Sequence, residues 1–215
     1  MTATGAAGAL RADAARNRAL VLEAAERLFA TRGLDVCMQQ IADEAGVGIG
    51  TVFRRFVTKE DLVVAILHAR MQDLLALVEH AVERSATEPW DAFADGFLGT
   101  TELHVRHRGL MQSLTSIQVA QPVLDDVRAQ LAAALRILVQ RAIDAGELRD
   151  DVVAEDIPVL QCAISRTSCM PIAVAEPEAW RRACALLLDG MRADAARTPL
   201  APQLPTFEQV RGCSS

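Results

Sequence analysis

The side chains with the clearest chemical potential lie close together near the N-terminus. Thr51, Arg54, Arg55 and Lys59 fall within residues 51–59, and no acid stands between Glu44 and Glu60. Hydroxyl and cationic donors at this density pair with phosphate oxygens, and glycines at 48 and 50 let backbone approach the same groups. Other candidates for chemistry are scattered. His104 and His107 share a helical face, but no Cys or carboxylate completes a metal set beside them, so no metal site is expected. Cys162 and Cys169 are two helical turns apart, roughly 10 Å, too far for a disulfide between them. There is no GxSxG, P-loop or dinucleotide fingerprint, so no catalytic residue, enzyme activity or cofactor is expected.

The elements that must position residues 51–59 are short helices. Val21, Ala24, Ala25, Leu28 and Phe29 recur at three- and four-residue spacing from Asn17 on, and Gly33 follows as a stop. Met38, Ile41, Ala42 and Ala45 repeat the period until Gly46, and Val52 and Phe56 lie one turn apart in the segment Ile49 to Phe56. Thr58 reads as an N-cap followed by Glu60 and Asp61, which suit the positive end of a helix dipole; a long helix then runs to about Ser85. Further helical segments are expected at about 89–105, 108–118, 122–145, 155–169 and 177–196, with Pro89, Pro122 and Pro177 at helix starts and Gly146 at a stop. No β-alternating run occurs among them, so the fold class is all-α.

Composition bounds the partners. The chain has 215 residues, 51% hydrophobic, with a net charge of -6 and mean hydropathy of +0.19, enough to bury a sizeable core. Residues 1–60 hold eight Lys and Arg against seven Asp and Glu, whereas the rest hold fourteen against twenty-one, so two parts with different electrostatic tasks are suggested. No run approaches the roughly 18 apolar residues of a membrane span, and residues 1–18 lack the apolar stretch of a secretory signal. Five cysteines, at 37, 162, 169, 184 and 213, form no paired framework. A soluble, cytoplasmic protein without membrane partners is expected. Its parts are a flexible arm over 1–15, a three-helix domain over 16–60, an acidic helical domain over 61–197, and a flexible tail over 198–215.

A helix, a glycine turn and a second short helix with small and polar residues outward fit the major groove. Ala42 is small where the helices cross, and Ile49, Gly50, Thr51, Phe53, Arg54 and Arg55 remain for the groove. The stretch Ile41-Ala42, Ala45-Gly46-Val47, Thr51-Val52-Phe53, Phe56, Lys59 and Leu62 resembles the tetracycline-repressor (TetR) family of bacterial regulators, whose pattern is IA-x-x-AGV-x-x-x-T-(aliphatic)-(Tyr/Phe)-x-x-F-x-x-K-x-x-L. The resemblance covers about residues 16–65. It makes Gln39 a base reader, Ile49, Gly50, Phe53 and Arg54 the recognition surface, and Thr51, Arg55 and Lys59 phosphate contacts. Three positions depart from the pattern. Cys37 stands where Thr or Ser is common, weakening the cap of the second helix and leaving Asp35 as its substitute. Phe53 lacks the hydroxyl of the commoner Tyr, and Gly48 lacks the side-chain donor of a Ser.

The acidic part holds two apolar stripes, Ile157, Leu160 and Ile164, and Trp180, Cys184, Leu187, Leu188 and Met191. Either they pair two subunits or they cover the subunit's own core; the resemblance implies the former, as a four-helix interface. Polar or soft residues on otherwise apolar segments are His104, His107, Met111, Gln118, Gln161, Cys162, Arg166 and Cys169, the candidates for a small-molecule site. Arg166 stands out because a cation in this segment needs a carboxylate from a ligand or from the other subunit. The expectation is a homodimeric, ligand-responsive repressor released from double-stranded operator DNA by a small-molecule effector. The rival reading is a helical ligand-binding or interaction protein without operator binding.

Overall fold

The computed structural model describes residues 3–107, 122–195, 198–202 and 204–212, with side chains over 13–107, 124–167, 170–195, 198–202 and 204–209. Met111, Gln118 and Cys213, the expected helix 108–118 and the side chain of Cys169 lie outside them. The described residues through Arg70, with 122–124, form one compact unit, and those from Met71 to His107 and from Asp125 on form another. Among the described residues the regular structure is helical, with one isolated antiparallel bridge between Leu148 and Arg192.

The first unit is built from helices α1 (Ala3–Arg32), α2 (Met38–Ala45), α3 (Ile49–Phe53) and the opening turns of α4 (Lys59–Arg84), with a 3₁₀ turn at Gly33–Asp35. The segment expected to be a flexible arm is helical from Ala3. Its alanines at 3, 6, 7, 9, 12, 14 and 15 lose no side-chain entropy in a helix, which outweighs Gly5 and Gly8. Val21, Ala24, Ala25, Leu28 and Phe29 of α1 bury against Ile41 and Ala42 of α2, Val52 of α3, and Leu62, Val63 and Ile66 of α4. Thr58 and Asp61 form a reciprocal cap at the start of α4: Asp61 Oδ2 accepts the Thr58 N–H at 2.9 Å, and Thr58 Oγ1 accepts the Asp61 N–H at 3.1 Å. Arg70 of α4 pairs with Glu26 of α1 at 2.8 Å, tying the two longest helices of the unit.

The second unit contains the rest of α4, α5 (Pro89–Arg106), α6 (Pro122–Asp144) from Asp125 on, α7 (Asp156–Ser165), a 3₁₀ turn at Arg166–Cys169, α8 (Ile172–Ala175), α9 (Ala179–Met191) and α10 (Phe207–Gly212). The helix expected over 155–169 therefore tightens after Ser165. Phe93 and Phe97 of α5 are fully buried among Val78 and Ala81 of α4, Leu135 and Leu138 of α6, Ile157 and Ile164 of α7, and Trp180, Cys184 and Leu188 of α9. The α4–α5 crossing is close because residue 96 is glycine: a Cβ there would stand 3.0 Å from the Ala81 Cβ and 3.4 Å from Leu138 Cδ2.

The tail departs from its expected form. Phe207 at the start of α10 packs on the second core, and its N–H donates to Glu155 at 3.2 Å. The Arg136 guanidinium grips Glu208 with two bonds of 2.9 and 2.8 Å and lies over the Phe207 ring. That contact holds the Glu208 carboxyl well below its ordinary range, at about 2. A single aromatic anchor and one bidentate pair thus hold a segment whose prolines suggested a loose end.

Candidate nucleic-acid interface

Helices α2 and α3 meet through a turn at Gly46, whose φ of 66° is left-handed and suits glycine. The Gly46 and Val47 N–H groups bond back to the Asp43 and Ala42 carbonyls at 3.2 and 3.0 Å, so the turn is tight. Cys37, not Asp35, is the N-cap of α2, and Gln40 reaches back to accept the Cys37 N–H at 2.9 Å, as the third residue of a capping box does. Asp35 belongs to the preceding 3₁₀ turn. Arg27 of α1 pairs with Glu44 of α2 at 3.2 Å and with Glu23 of its own helix at 3.0 Å.

The surface left outward contains most of the residues expected there. Gly48, Gly50, Phe53, Arg54 and Arg55 are exposed, with Phe53 48% accessible. Arg55 has no hydrogen-bond or ion-pair partner among the described residues and is the free cation of the turn after α3. Arg54 folds back on its own helix, donating to the Gly50 carbonyl and to Thr51 Oγ1, each at 3.1 Å. Gln39 is exposed on α2 and donates to Asp43 at 2.8 Å. Ile49 departs from expectation: it is partly buried against the N-terminal core, because the first residue of so short a helix must anchor it. Lys59 differs too. Its ammonium donates to the Leu34 carbonyl at 2.5 Å, which ties the start of α4 to the turn after α1. An ammonium carries three donors, so this bond leaves two.

Among the candidate effector residues, Gln161 and His104 lie toward the interior. Gln161 is buried on α7 and donates to Thr100 Oγ1 at 2.5 Å and to the Phe97 carbonyl at 3.4 Å. The neighbouring Thr101 hydroxyl donates to the Phe97 carbonyl at 2.6 Å, and burial pushes the nearby Cys184 thiol up. Burial, with His107 adding to it, lowers the His104 imidazole below 6.5, and His107 is half-buried just past α5. Cys162 and Arg166 do not join them. Both are exposed, since the residue after Gln161 on a helix turns about 100° away from it, and Arg166 follows Cys162 one turn on. Thr100 and Thr101 went unnoticed in the sequence, although two adjacent threonines in an apolar helical stretch signal inward hydroxyls.

The expected dimer stripes are mostly core. Ile157, Ile164, Trp180, Cys184, Leu188 and Met191 are buried within the subunit's own unit, and Leu160 and Leu187 pack partly against it. The opposite faces of the same helices stay open. On α7 and just past it, Val159, Cys162, Ala163 and Arg166 are exposed, and on α9 Arg182, Ala185, Leu186 and Asp189 are. Arg149 is buried after α6, where it holds Asp151 at 2.6 and 2.8 Å and the Thr198 carbonyl at 2.9 Å.

A glycine-turned helix pair whose second helix is exposed and free of acids, standing before a separate helical unit, defines a helix-turn-helix regulator. Comparison with known proteins agrees. A model described as bacterial regulatory proteins, tetR family, matches residues 21–66, and one described as transcriptional regulator SbtR-like, C-terminal domain, matches residues 88–193. A TetR transcriptional regulator from Streptomyces coelicolor is 30% identical, over 83% of this chain and 99% of its own, with a TM-score of 0.63. A TetR transcription regulatory protein from Mycobacterium vanbaalenii is 33% identical, over 85% of this chain and 99% of its own, with a TM-score of 0.63. An HTH-type transcriptional regulator of Staphylococcus aureus is 36% identical over 72 residues, so this chain spans 37% of the length of that curated relative. The chain belongs to the TetR family of bacterial transcriptional regulators, which are DNA-binding proteins and not enzymes. Among the described residues no helix is long and apolar enough to cross a membrane.

Proposed function

We propose that the chain is a homodimeric, cytoplasmic repressor that holds a double-stranded operator through α2 and α3 and is released by a small molecule bound in the second unit. The observation that carries this reading is the surface that Gly48, Gly50, Phe53, Arg54 and Arg55 expose, acid-free and with the Arg55 cation unpaired among the described residues. A single copy offers few phosphate contacts, so useful affinity calls for two copies on two half-sites. Support for the pairing comes from the outer faces of α7 and α9, where Val159 is 56% and Leu186 66% exposed on stripes with helical spacing. For the effector, support comes from Gln161, Thr100 and His104, polar groups inside an apolar unit. Arg166, being exposed, belongs with the partner face. Effector and operator then compete through one conformational equilibrium.

The test is a selection of duplexes from a random DNA library by the purified full chain, followed by a mobility assay. Salt-sensitive, sequence-selective binding is expected. Absence of any enriched sequence contradicts the reading. Leu186→Glu places a charge on the proposed pairing face; it should yield monomers in sedimentation and lose the specific shift, and a dimer that persists removes this face from the interface.

A further inference from the structure

Base pairs are told apart in the major groove by hydrogen bonds to base edges or by apolar contact with the thymine methyl. The surface of α3 is unusually poor in the first. Its outward positions are Gly50 and Phe53, with Gly48 capping the helix; Ile49 and Thr51 are half-buried. Thr51 Oγ1 and the Arg54 guanidinium are occupied with each other, and Arg54 also bonds the Gly50 carbonyl. Gln39, on α2, is engaged with Asp43. What α3 leaves free is an aromatic ring and bare glycine backbone: an added Cβ at Gly48 or Gly50 meets nothing within 4 Å. The ring has no hydroxyl to offer a phosphate, and Arg55 just beyond it supplies the cation instead.

Resting on the proposed operator binding, we infer that Phe53 is the specificity-determining residue and reads thymine methyl groups, with the groove lying close over Gly50. The operator is then defined by thymines at fixed positions and tolerates change at the guanine N7 edge. Removing a methyl from an apolar contact forfeits the transfer of about one methylene, equivalent to about fourfold in affinity. Crowding a close contact with a methyl weakens it by about fivefold to a hundredfold.

The experiment uses the full chain and a duplex recovered from the random library, with each thymine replaced in turn by deoxyuridine and each guanine by 7-deazaguanine. About a fourfold loss at discrete deoxyuridine positions is expected, with Phe53→Ala binding the thymine and deoxyuridine duplexes equally. Gly50→Ala should weaken binding in the stated range without lowering Tm, since its Cβ is unobstructed in the free protein. Deoxyuridine without effect while 7-deazaguanine weakens binding overturns the inference and leaves operator binding intact. Undiminished affinity in Gly50→Ala overturns the close approach. If no sequence is enriched at all, the operator-binding reading fails as well.

Discussion

In the unit that ends at Arg70, polar groups on α2 and α3 face away from the core and Arg55 has no described partner. In the unit that begins at Met71, polar groups of α5 and α7 turn inward and are satisfied there, Gln161 by Thr100 and Thr101 by the Phe97 carbonyl. The first arrangement keeps donors available for an external polyanion at little cost, because water solvates them meanwhile. The second buries amides and hydroxyls, which is tolerable only when each is satisfied. The Gln161 amide, held by the Thr100 hydroxyl and a longer bond to the Phe97 carbonyl, can be re-paired by an incoming polar molecule, whereas an exposed cation needs no rearrangement. One unit is suited to reading a surface, the other to changing its internal bonding.

The largest break in this comparison comes from the second core. Phe97→Ala should lower stability by about 3–5 kcal/mol in urea unfolding, since a fully buried ring leaves a cavity between α5 and its neighbours. A loss under 1 kcal/mol would show that the core collapses around the gap.

Lys59 sharpens the difference within the first unit. If its bond to the Leu34 carbonyl is its main task, Lys59→Met should cost about 1 kcal/mol of stability. Lost DNA affinity with unchanged unfolding would return Lys59 to the phosphate contacts.

The smallest effect is the pH response of His104. Its folded-state pKa lies below the ordinary 6.5 because burial disfavours the imidazolium, with His107 adding to the shift. The unfolded chain therefore takes up this proton first: above 6.5 His104 contributes nothing to the pH dependence, and below it stability falls until the folded form also protonates. His104→Gln should have a shallower fall of Tm below pH 6.5 than the parent chain. Identical slopes would remove His104 from the acid response.

Much of the first unit was legible because its determinants are local. The α1 period, the Gly46 turn and the Thr58–Asp61 cap are each contained in a few consecutive residues, and the cap of α2 was recoverable from Gln40 three residues after Cys37. The second unit was less legible because spacing alone does not say which side of a helix meets its own core. Ile157 and Trp180 lie on stripes as apolar as any interface, yet both are spent inside the subunit, leaving Val159 and Leu186 outside. The docking of Phe207 depends on Arg136 and Glu155, far away in sequence, and the prolines before it masked the anchor. The Arg54–Thr51 bond and the Lys59–Leu34 bond likewise depend on rotamers that residue type does not specify.

The central claim is that the surface ending at Arg55 meets the phosphates of duplex DNA. It is tested most directly by the salt dependence of binding to the selected duplex, measured by fluorescence anisotropy for the parent chain and Arg55→Ala across about 50–200 mM salt. The expected result is weaker binding to all sequences, and a log–log slope less steep by about one per protomer. An unchanged slope for Arg55→Ala, at equal affinity, would contradict it.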